Sequence, residues 1–283
     1  MKNIKKITGL LIVIVAALSF VSCEPIEVRQ EMKGATTMDK INQLVSVTPE
    51  MRDGMRSNYL ILKSDGLDAL SSWDYGSGTY VGTNGRVQVV VPGDQTIVFT
   101  ALNGDGTQLQ KNFDVTVDTC YDVAPQWEYL CGGGSKTWTW DDSLGEAAYG
   151  MGDAGDNSAD WWAPGLTGKP EGIGASMTFS VKGAALTKNL TNGTTQSGSF
   201  SFDMTKTQAN YSRSQGELTT SIPVLMGQTT GAATGFGSSG NDVKVYEILV
   251  LDDEHLMLSW LEPGVDFDHA GWGQATLWVF KVK

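Results

Sequence analysis

Two stretches of the sequence place tryptophan beside acidic, amide or imidazole side chains, a mixture that could bind a sugar. A sugar has flat C–H faces on which an indole ring can stack, and a rim of hydroxyl groups that need hydrogen-bond partners. We therefore predict glycan contacts at two sets of positions, with ordinary packing as the alternative for each tryptophan. These positions are Asp160, Trp161 and Trp162 in the first stretch, and Asp268, His269, Trp272 and Gln274 in the second.

The residues that catalysis would need are scarce. Histidine occurs only at positions 255 and 269, and the chain has no G-x-S-x-G nucleophile motif. A glycoside hydrolase needs two carboxyl groups flanking the scissile bond, and neighbouring acids do occur. We interpret these acids as turn residues and predict a protein without catalytic activity, keeping a glycoside hydrolase or lyase as the alternative. The acids are Asp141 with Asp142, Asp252 with Asp253 and Glu254, and Asp266 with Asp268.

No cofactor and no metal ligand are predicted, although one calcium site stays open as an alternative. Asp153, Asp156 and Asp160 supply the oxygen ligands that Ca²⁺ prefers, but their spacing differs from that of an EF-hand loop. The formal net charge of −12 excludes nucleic acid as a partner, because such binding depends on Lys and Arg side chains that neutralise phosphate.

The N-terminal residues have the pattern of an export signal. Lys2, Lys5 and Lys6 precede an apolar run over residues 10–18, which is too short for a membrane span but typical of a signal peptide. The stretch from Phe20 to Cys23 resembles the lipobox of bacterial lipoproteins. This resemblance implies removal of residues 1–22 and lipidation of Cys23, with an uncleaved anchor helix as the alternative.

The resemblance also has consequences for location and for the other cysteines. It is a resemblance to the outer-membrane lipoproteins of Bacteroides-type bacteria, which implies a protein anchored to the outer membrane by acyl chains such as palmitate and facing the cell exterior. Cys120 and Cys131 would then lie in an oxidising compartment, where they could form a disulfide or stay as two buried thiols. The sequence leaves both alternatives open.

Short alternating runs separated by Gly, Asn and Asp, with almost no helical periodicity, predict an all-β fold. The composition changes near Pro125, because eight of the nine tryptophans lie from Trp127 onward. We therefore predict two β-domains that follow the signal peptide and a flexible spacer. The predicted boundaries are 23–43 for the lipidated cysteine and spacer, 44–122 for the first domain and 123–283 for the second.

A family resemblance defines the fold of the first domain more closely. The stretch from Trp73 to Gly78 resembles the W-D-F-G-D-G strand and turn of PKD domains, which are immunoglobulin-like β-sandwiches, and Ser77 replaces an acid of that motif. The spacing to the Pro92-Gly93 turn agrees with the same family. The resemblance implies a sandwich with Trp73 packed between its sheets, acting as a stalk rather than as a ligand site.

The second domain is predicted to be a tryptophan-rich, jelly-roll-like β-sandwich, with a lipocalin-like barrel as the alternative. Its strands alternate, and we predict that Trp138, Trp140, Trp260 and Trp278 belong to the core and that Trp127 packs at the domain junction. A lipocalin-like carrier of an apolar molecule would need a closed cavity lined by three of them. These three are Trp138, Trp140 and Trp278.

The order of a Gly-rich turn, Trp138 and Trp140, the Trp161-Trp162 pair and a further Gly-rich strand is similar to the C-terminal part of PKD-containing lipoproteins from Bacteroides glycan-uptake systems. The resemblance implies a surface protein that captures polysaccharide or oligosaccharide for uptake, with a TonB-dependent transporter complex as a partner. A structural or adhesion lipoprotein that binds protein is the remaining alternative.

Overall fold

The computed structural model describes residues 35–208, 211–228, 241–261 and 273–283. Contacts group Thr36–Lys283 into one compact unit. The predicted signal peptide and Cys23 lie outside the described residues. In the part of the chain that the structure describes, no helix has both the length and the apolar character needed to cross a membrane. The prediction of an all-β fold is confirmed, since two β-rich bodies make up most of these residues.

The first body is a β-sandwich of a three-stranded and a four-stranded antiparallel sheet. Trp73 is fully buried between them and lies 4.5 Å from Phe99, ring centroid to ring centroid. This burial confirms the predicted packing of Trp73. The sheets pair in the orders β1-β2-β5 and β4-β3-β6-β7. Their strands are β1 (Ser46–Arg52), β2 (Met55–Lys63), β3 (Ala69–Asp74), β4 (Thr79–Val81), β5 (Asn84–Gln88), β6 (Gly93–Asn103) and β7 (Gln108–Val117).

The structure differs from the predicted spacer at the spacer's C-terminal end. Residues Met38–Leu44 form a helix, α1, whose N-terminus is capped by the side chain of Thr37. Ile41 is fully buried in the sandwich core. Three apolar residues, Met38, Ile41 and Leu44, were too weak a signal for so short a helix, because only Ile41 is buried and its burial depends on the sheets that it packs against.

The second body is a closed eight-stranded antiparallel barrel. Each of the eight barrel strands pairs with the next barrel strand, and the last pairs with the first and so closes the ring. This arrangement is the barrel that was predicted as the alternative to a jelly-roll-like sandwich. A jelly roll would divide the strands between two sheets. The barrel strands are β8 (Ser135–Trp140), β10 (Ser176–Ser180), β11 (Ala185–Asn189), β12 (Thr195–Asp203), β13 (Gly216–Thr220), β14 (Val245–Leu251), β15 (His255–Leu261) and β16 (Gln274–Val282).

Large side chains fill the inside of the barrel. Trp138, Trp140 and Trp278 are buried in one hydrophobic cluster, as predicted, and Trp140 lies 4.6 Å from the ring of Phe280. Trp260 is only partly buried against the same cluster. The three buried indoles therefore occupy the interior of the barrel.

A short helix, α2 (Pro125–Cys131), connects the two bodies and packs on the barrel. Its Trp127 lies 4.9 Å from the ring of Phe202. Cys120 and Cys131 are both free thiols in this structure, Cys120 half-buried and Cys131 buried. Burial raises the pKa of Cys131 to about 12, which keeps this thiol protonated and unreactive.

Two loop segments, 169–172 and 224–228, lie across one end of the barrel, and we call them the plug. Polar tips of interior side chains hydrogen-bond to plug carbonyls. The indole N–H of Trp140 donates to Glu171 O at 2.9 Å, and that of Trp278 donates to Met226 O at 3.0 Å. A buried N–H without a partner is destabilising. These tryptophans therefore fix the position of the plug.

Candidate functional site

The predicted stretch 160–162 lies along the free side of a short strand, β9 (Tyr149–Asp153), whose other side pairs with β16. The backbone N–H groups of Trp161 and Trp162 each lie 3.1 Å from Met151 O. The N–H of Met151 donates to Trp162 O at 2.8 Å. The stretch is therefore held to the barrel by backbone hydrogen bonds on both sides of Met151.

Two glycines of β9 make this close approach possible. A Cβ atom at Gly150 would lie 2.2 Å from Trp162 O, and one at Gly152 would lie 2.9 Å from Ser158 O. Both distances are too short for a side chain. The alternating glycines of the sequence Tyr-Gly-Met-Gly-Asp therefore leave the space that residues 158–162 need to pack against β9.

The two neighbouring tryptophans of this stretch differ in exposure. The Trp161 side chain is 40% exposed. Among the large hydrophobic side chains that are exposed in the described ranges, it is the only aromatic one. Trp162 is half-buried, and Asp160 is exposed. The stretch therefore presents one indole and one carboxylate to solvent beside β9.

Gln274 of the second predicted stretch lies at the same strand. It opens β16 directly opposite Asp153, and its side-chain nitrogen lies 3.3 Å from the Met151 sulfur. Met151 therefore contacts both the 160–162 stretch and the side chain of Gln274. The other predicted residues of the second stretch, Asp268, His269 and Trp272, lie outside the described residues.

The chain that follows Trp162 is anchored by a carboxylate. Glu146 accepts hydrogen bonds from the backbone N–H of Leu166 and from the hydroxyl of Thr167. These bonds lower the pKa of Glu146, with the bond from Thr167 as the largest cause. Lys169 donates to Pro164 O at 2.9 Å. The segment is therefore held in place by hydrogen bonds within the chain.

Two of the three aspartates of the alternative calcium site, Asp153 and Asp156, accept hydrogen bonds from the backbone, and Asp160 neighbours Asp156. Asp153 accepts from the N–H of Gly155 at 2.7 Å, and Asp156 accepts from the N–H of Asp153 at 3.0 Å. Within the described residues, no three acidic, histidine or cysteine side chains are grouped as they would be around a metal ion. Arg213 reinforces this loop, since it donates to the side chain of Asn157 at 2.7 Å.

The remaining acidic pairs that lie within the described ranges belong to turns. Asp141 accepts from the hydroxyl of Ser143 at 2.7 Å, and Asp142 pairs with Lys281. Asp252 accepts from the N–H groups of Glu254 and His255. Asp266 and Asp268 lie outside the described residues.

The Asp156 carboxyl predicts a pH dependence of stability. Its pKa is raised, first by burial and then by the neighbouring Asp160. Because this pKa is higher in the folded chain than in the unfolded one, the carboxyl stabilises the fold most below its ordinary pKa of 3.8, and this contribution is lost as the pH rises through the raised value. We expect Asp160→Asn to weaken this loss.

Chemical denaturation at a series of pH values from about 3 to 7 measures this effect. The free energy of unfolding of the Asp160→Asn protein should rise relative to that of the unchanged protein as the pH increases. Parallel pH profiles for the two proteins would contradict the prediction.

Sequence reasoning missed a buried ion pair at the plug. Lys188 is 2% exposed, and its amine lies 2.5 Å from a carboxylate oxygen of Glu171. The sequence did contain a signal for this ion pair. Leu186 and Lys188 lie two residues apart on β11, so their side chains point to the same, inward face. A lysine at an inward strand position needs a buried partner.

The comparisons with known proteins leave the family open. No protein-family model matches the chain, and no curated protein matches it significantly. One solved structure that is similar to this chain is described as "Structural basis for the promiscuous specificity of the carbohydrate-binding modules from the beta-sandwich super family". It is 12% identical, the match covers 84% of this chain and 90% of that chain, and the TM-score is 0.22. Similarity at this level supports no statement about a ligand.

Proposed function

We propose that the protein binds carbohydrate without transforming it, on the surface that Asp160 and Trp161 form beside β9. The observation that carries this proposal is the 40% exposure of the Trp161 side chain. Leaving an indole in water forgoes the free energy that its burial would contribute. A sugar face stacked on the ring would recover part of that free energy, and the Asp160 carboxylate can accept hydrogen bonds from the hydroxyl rim.

The anchoring of the segment supports the same proposal. Trp161 is bonded through its backbone to Met151, and Glu146 holds the chain a few residues later. A surface that is ordered before the ligand arrives loses little conformational entropy on binding. This arrangement suits a weak ligand such as a single sugar unit.

The proposal includes attachment to the outer membrane through a lipid on Cys23, with the barrel facing the exterior. One sugar site has low affinity, but many anchored copies that meet one polymer bind it far more strongly through effective concentration. A TonB-dependent transporter complex is the proposed recipient of the captured polysaccharide. The carboxylates engaged in turns, such as Asp141 and Asp252, support binding without catalysis.

Affinity electrophoresis through gels that contain single polysaccharides tests the binding. We expect one or more polysaccharides to retard the protein, and we expect Trp161→Ala to lower that affinity at least tenfold, about 1.4 kcal/mol. Trp161→Phe should keep part of the retardation, because it retains a flat ring. Leu70→Ala, which removes another exposed apolar side chain on the sandwich, is the matched control and should behave as the unchanged protein.

Two outcomes would contradict the proposal. Equal migration of the unchanged protein and Trp161→Ala in every gel would remove Trp161 as the binding surface. New reducing ends after long incubation with a retarding polysaccharide would show that the protein is a glycoside hydrolase and does not only bind the polysaccharide.

A further inference from the structure

An open depression of about 430 Å³ lies beside the plug. Its lining combines apolar and carboxamide side chains with the hydroxyl group of Thr194 and the charged side chains of Lys169 and Glu171. Apolar groups come from Pro170, Leu190 and Met226, and carboxamide groups come from Asn192, Gln196 and Gln228. A ligand that fits this lining needs a small apolar part next to groups that both donate and accept hydrogen bonds.

The depression and the Trp161 surface lie at the same end of the barrel. Strand β8 ends at Trp140, β10 begins at Ser176 and β11 ends at Asn189, and these strand ends are adjacent in register. The chain from residue 141 to 175, which includes Trp161, and the β11–β12 hairpin therefore leave the barrel on one side.

The walls of the depression are fixed by hydrogen bonds between the hairpin and the plug. The N–H of Thr191 donates to Pro170 O at 2.8 Å, and the N–H of Leu190 donates to Thr194 O at 2.9 Å. The N–H of Thr194 also donates to the Asn192 side chain at 3.0 Å. The shape of the depression is therefore set before a ligand binds.

The one acidic group in the depression has its charge balanced. Glu171 pairs with Lys188 at 2.5 Å through one oxygen, and its other oxygen accepts from the N–H of Met226 at 2.6 Å. With both oxygens engaged, Glu171 offers little attraction to a cationic ligand. Lys169, the other charged residue of the lining, donates from its amine to Pro164 O at 2.9 Å, and the uncharged carboxamides and the Thr194 hydroxyl supply the remaining polar groups.

We propose that this depression is a second subsite of the proposed glycan site and takes the acetamido group of an N-acetylated amino sugar. The inference rests on the proposed function. An acetamido group has a methyl, which fits against Leu190 and Met226, and one N–H and one C=O, which a glutamine or asparagine carboxamide matches. A sugar that carries only hydroxyl groups leaves the apolar part of the lining uncovered.

Methyl NMR titrations with two sugars that differ in this group provide the test. N-acetylglucosamine should shift the methyl resonances of Leu190 and Met226, and glucose at the same concentration should leave them in place. Gln196→Ala should weaken the N-acetylglucosamine response about fivefold, because one neutral hydrogen bond is lost. Gln110→Ala, which changes an exposed glutamine on the sandwich, is the matched control.

The outcomes separate this inference from the proposed function. Absence of shifts at Leu190 and Met226 with N-acetylglucosamine, or equal shifts with glucose, overturns the subsite, even if polysaccharide binding still depends on Trp161. Selective shifts with N-acetylglucosamine support the subsite. If Trp161→Ala then leaves polysaccharide binding unchanged, the surface beside β9 is the part that fails.

Discussion

Glu171→Ala is expected to lower the free energy of unfolding by about 3–5 kcal/mol, because it leaves the buried amine of Lys188 without its partner. Lys188 is 2% exposed, and among the described residues its amine has one further acceptor, Val224 O at 3.5 Å. The substitution also removes the acceptor of the Met226 N–H. Denaturant-induced unfolding at neutral pH measures the change.

A paired substitution separates the charge from the rest of the side chain. Lys188→Met combined with Glu171→Gln removes both charges but keeps an oxygen for the Met226 N–H, so this protein should regain most of the lost stability. Glu50→Ala is the control, since Glu50 pairs with Arg86 at 2.8 Å on the surface, where solvent screens the pair. A decrease for Glu171→Ala as small as that for Glu50→Ala would contradict the prediction.

Local patterns predicted the strands and the inward tryptophans, because these depend on period-two alternation. Trp138 and Trp140 on β8, and Trp278 on β16, alternate with polar or smaller residues and are buried as expected. The burial of Trp73 could also be predicted from the sequence, since this residue occupies a strand that ends in a glycine turn. These residues needed no knowledge of which strands pair.

Alternation of side chains could not predict that the strands close into a barrel. The ring closes where Val282 pairs with Trp138, and these residues are far apart in the sequence. Alternation says which side chains share a face, but it does not say which strand lies next to which. Jelly roll and barrel therefore remained alternatives until the pairing of β16 with β8 was known.

The candidate site was predictable in its residue types and not in its anchoring. Asp160, Trp161 and Gln274 were selected for their chemistry, and the structure places residues 161 and 162 and the side chain of Gln274 against Met151. Met151 itself has no distinguishing chemistry in the sequence. Its role follows from two backbone groups that face residues 161 and 162, which only the fold can specify.

Gly150→Ala is expected to displace residues 158–162 from β9 and to lower glycan affinity at least tenfold, about 1.4 kcal/mol. The added Cβ would lie 2.2 Å from Trp162 O and 2.9 Å from the Cα of Ala163. Backbone atoms cannot give way as the end of a long side chain can. The φ angle of +149° at Gly150 adds strain for any other residue.

Hydrogen exchange and glycan binding measured together test this expectation. The amides of Trp161 and Trp162, which bond to Met151 O, should exchange faster in Gly150→Ala, while the amides of β15 should keep their protection because the ring of strands is unchanged. Gly133→Ala is the control, since no atom lies within 4 Å of its added Cβ. Unchanged exchange at Trp161 would mean that the segment tolerates the methyl group. Faster exchange with unchanged glycan affinity would mean that the anchored position of Trp161 is not what binds the sugar.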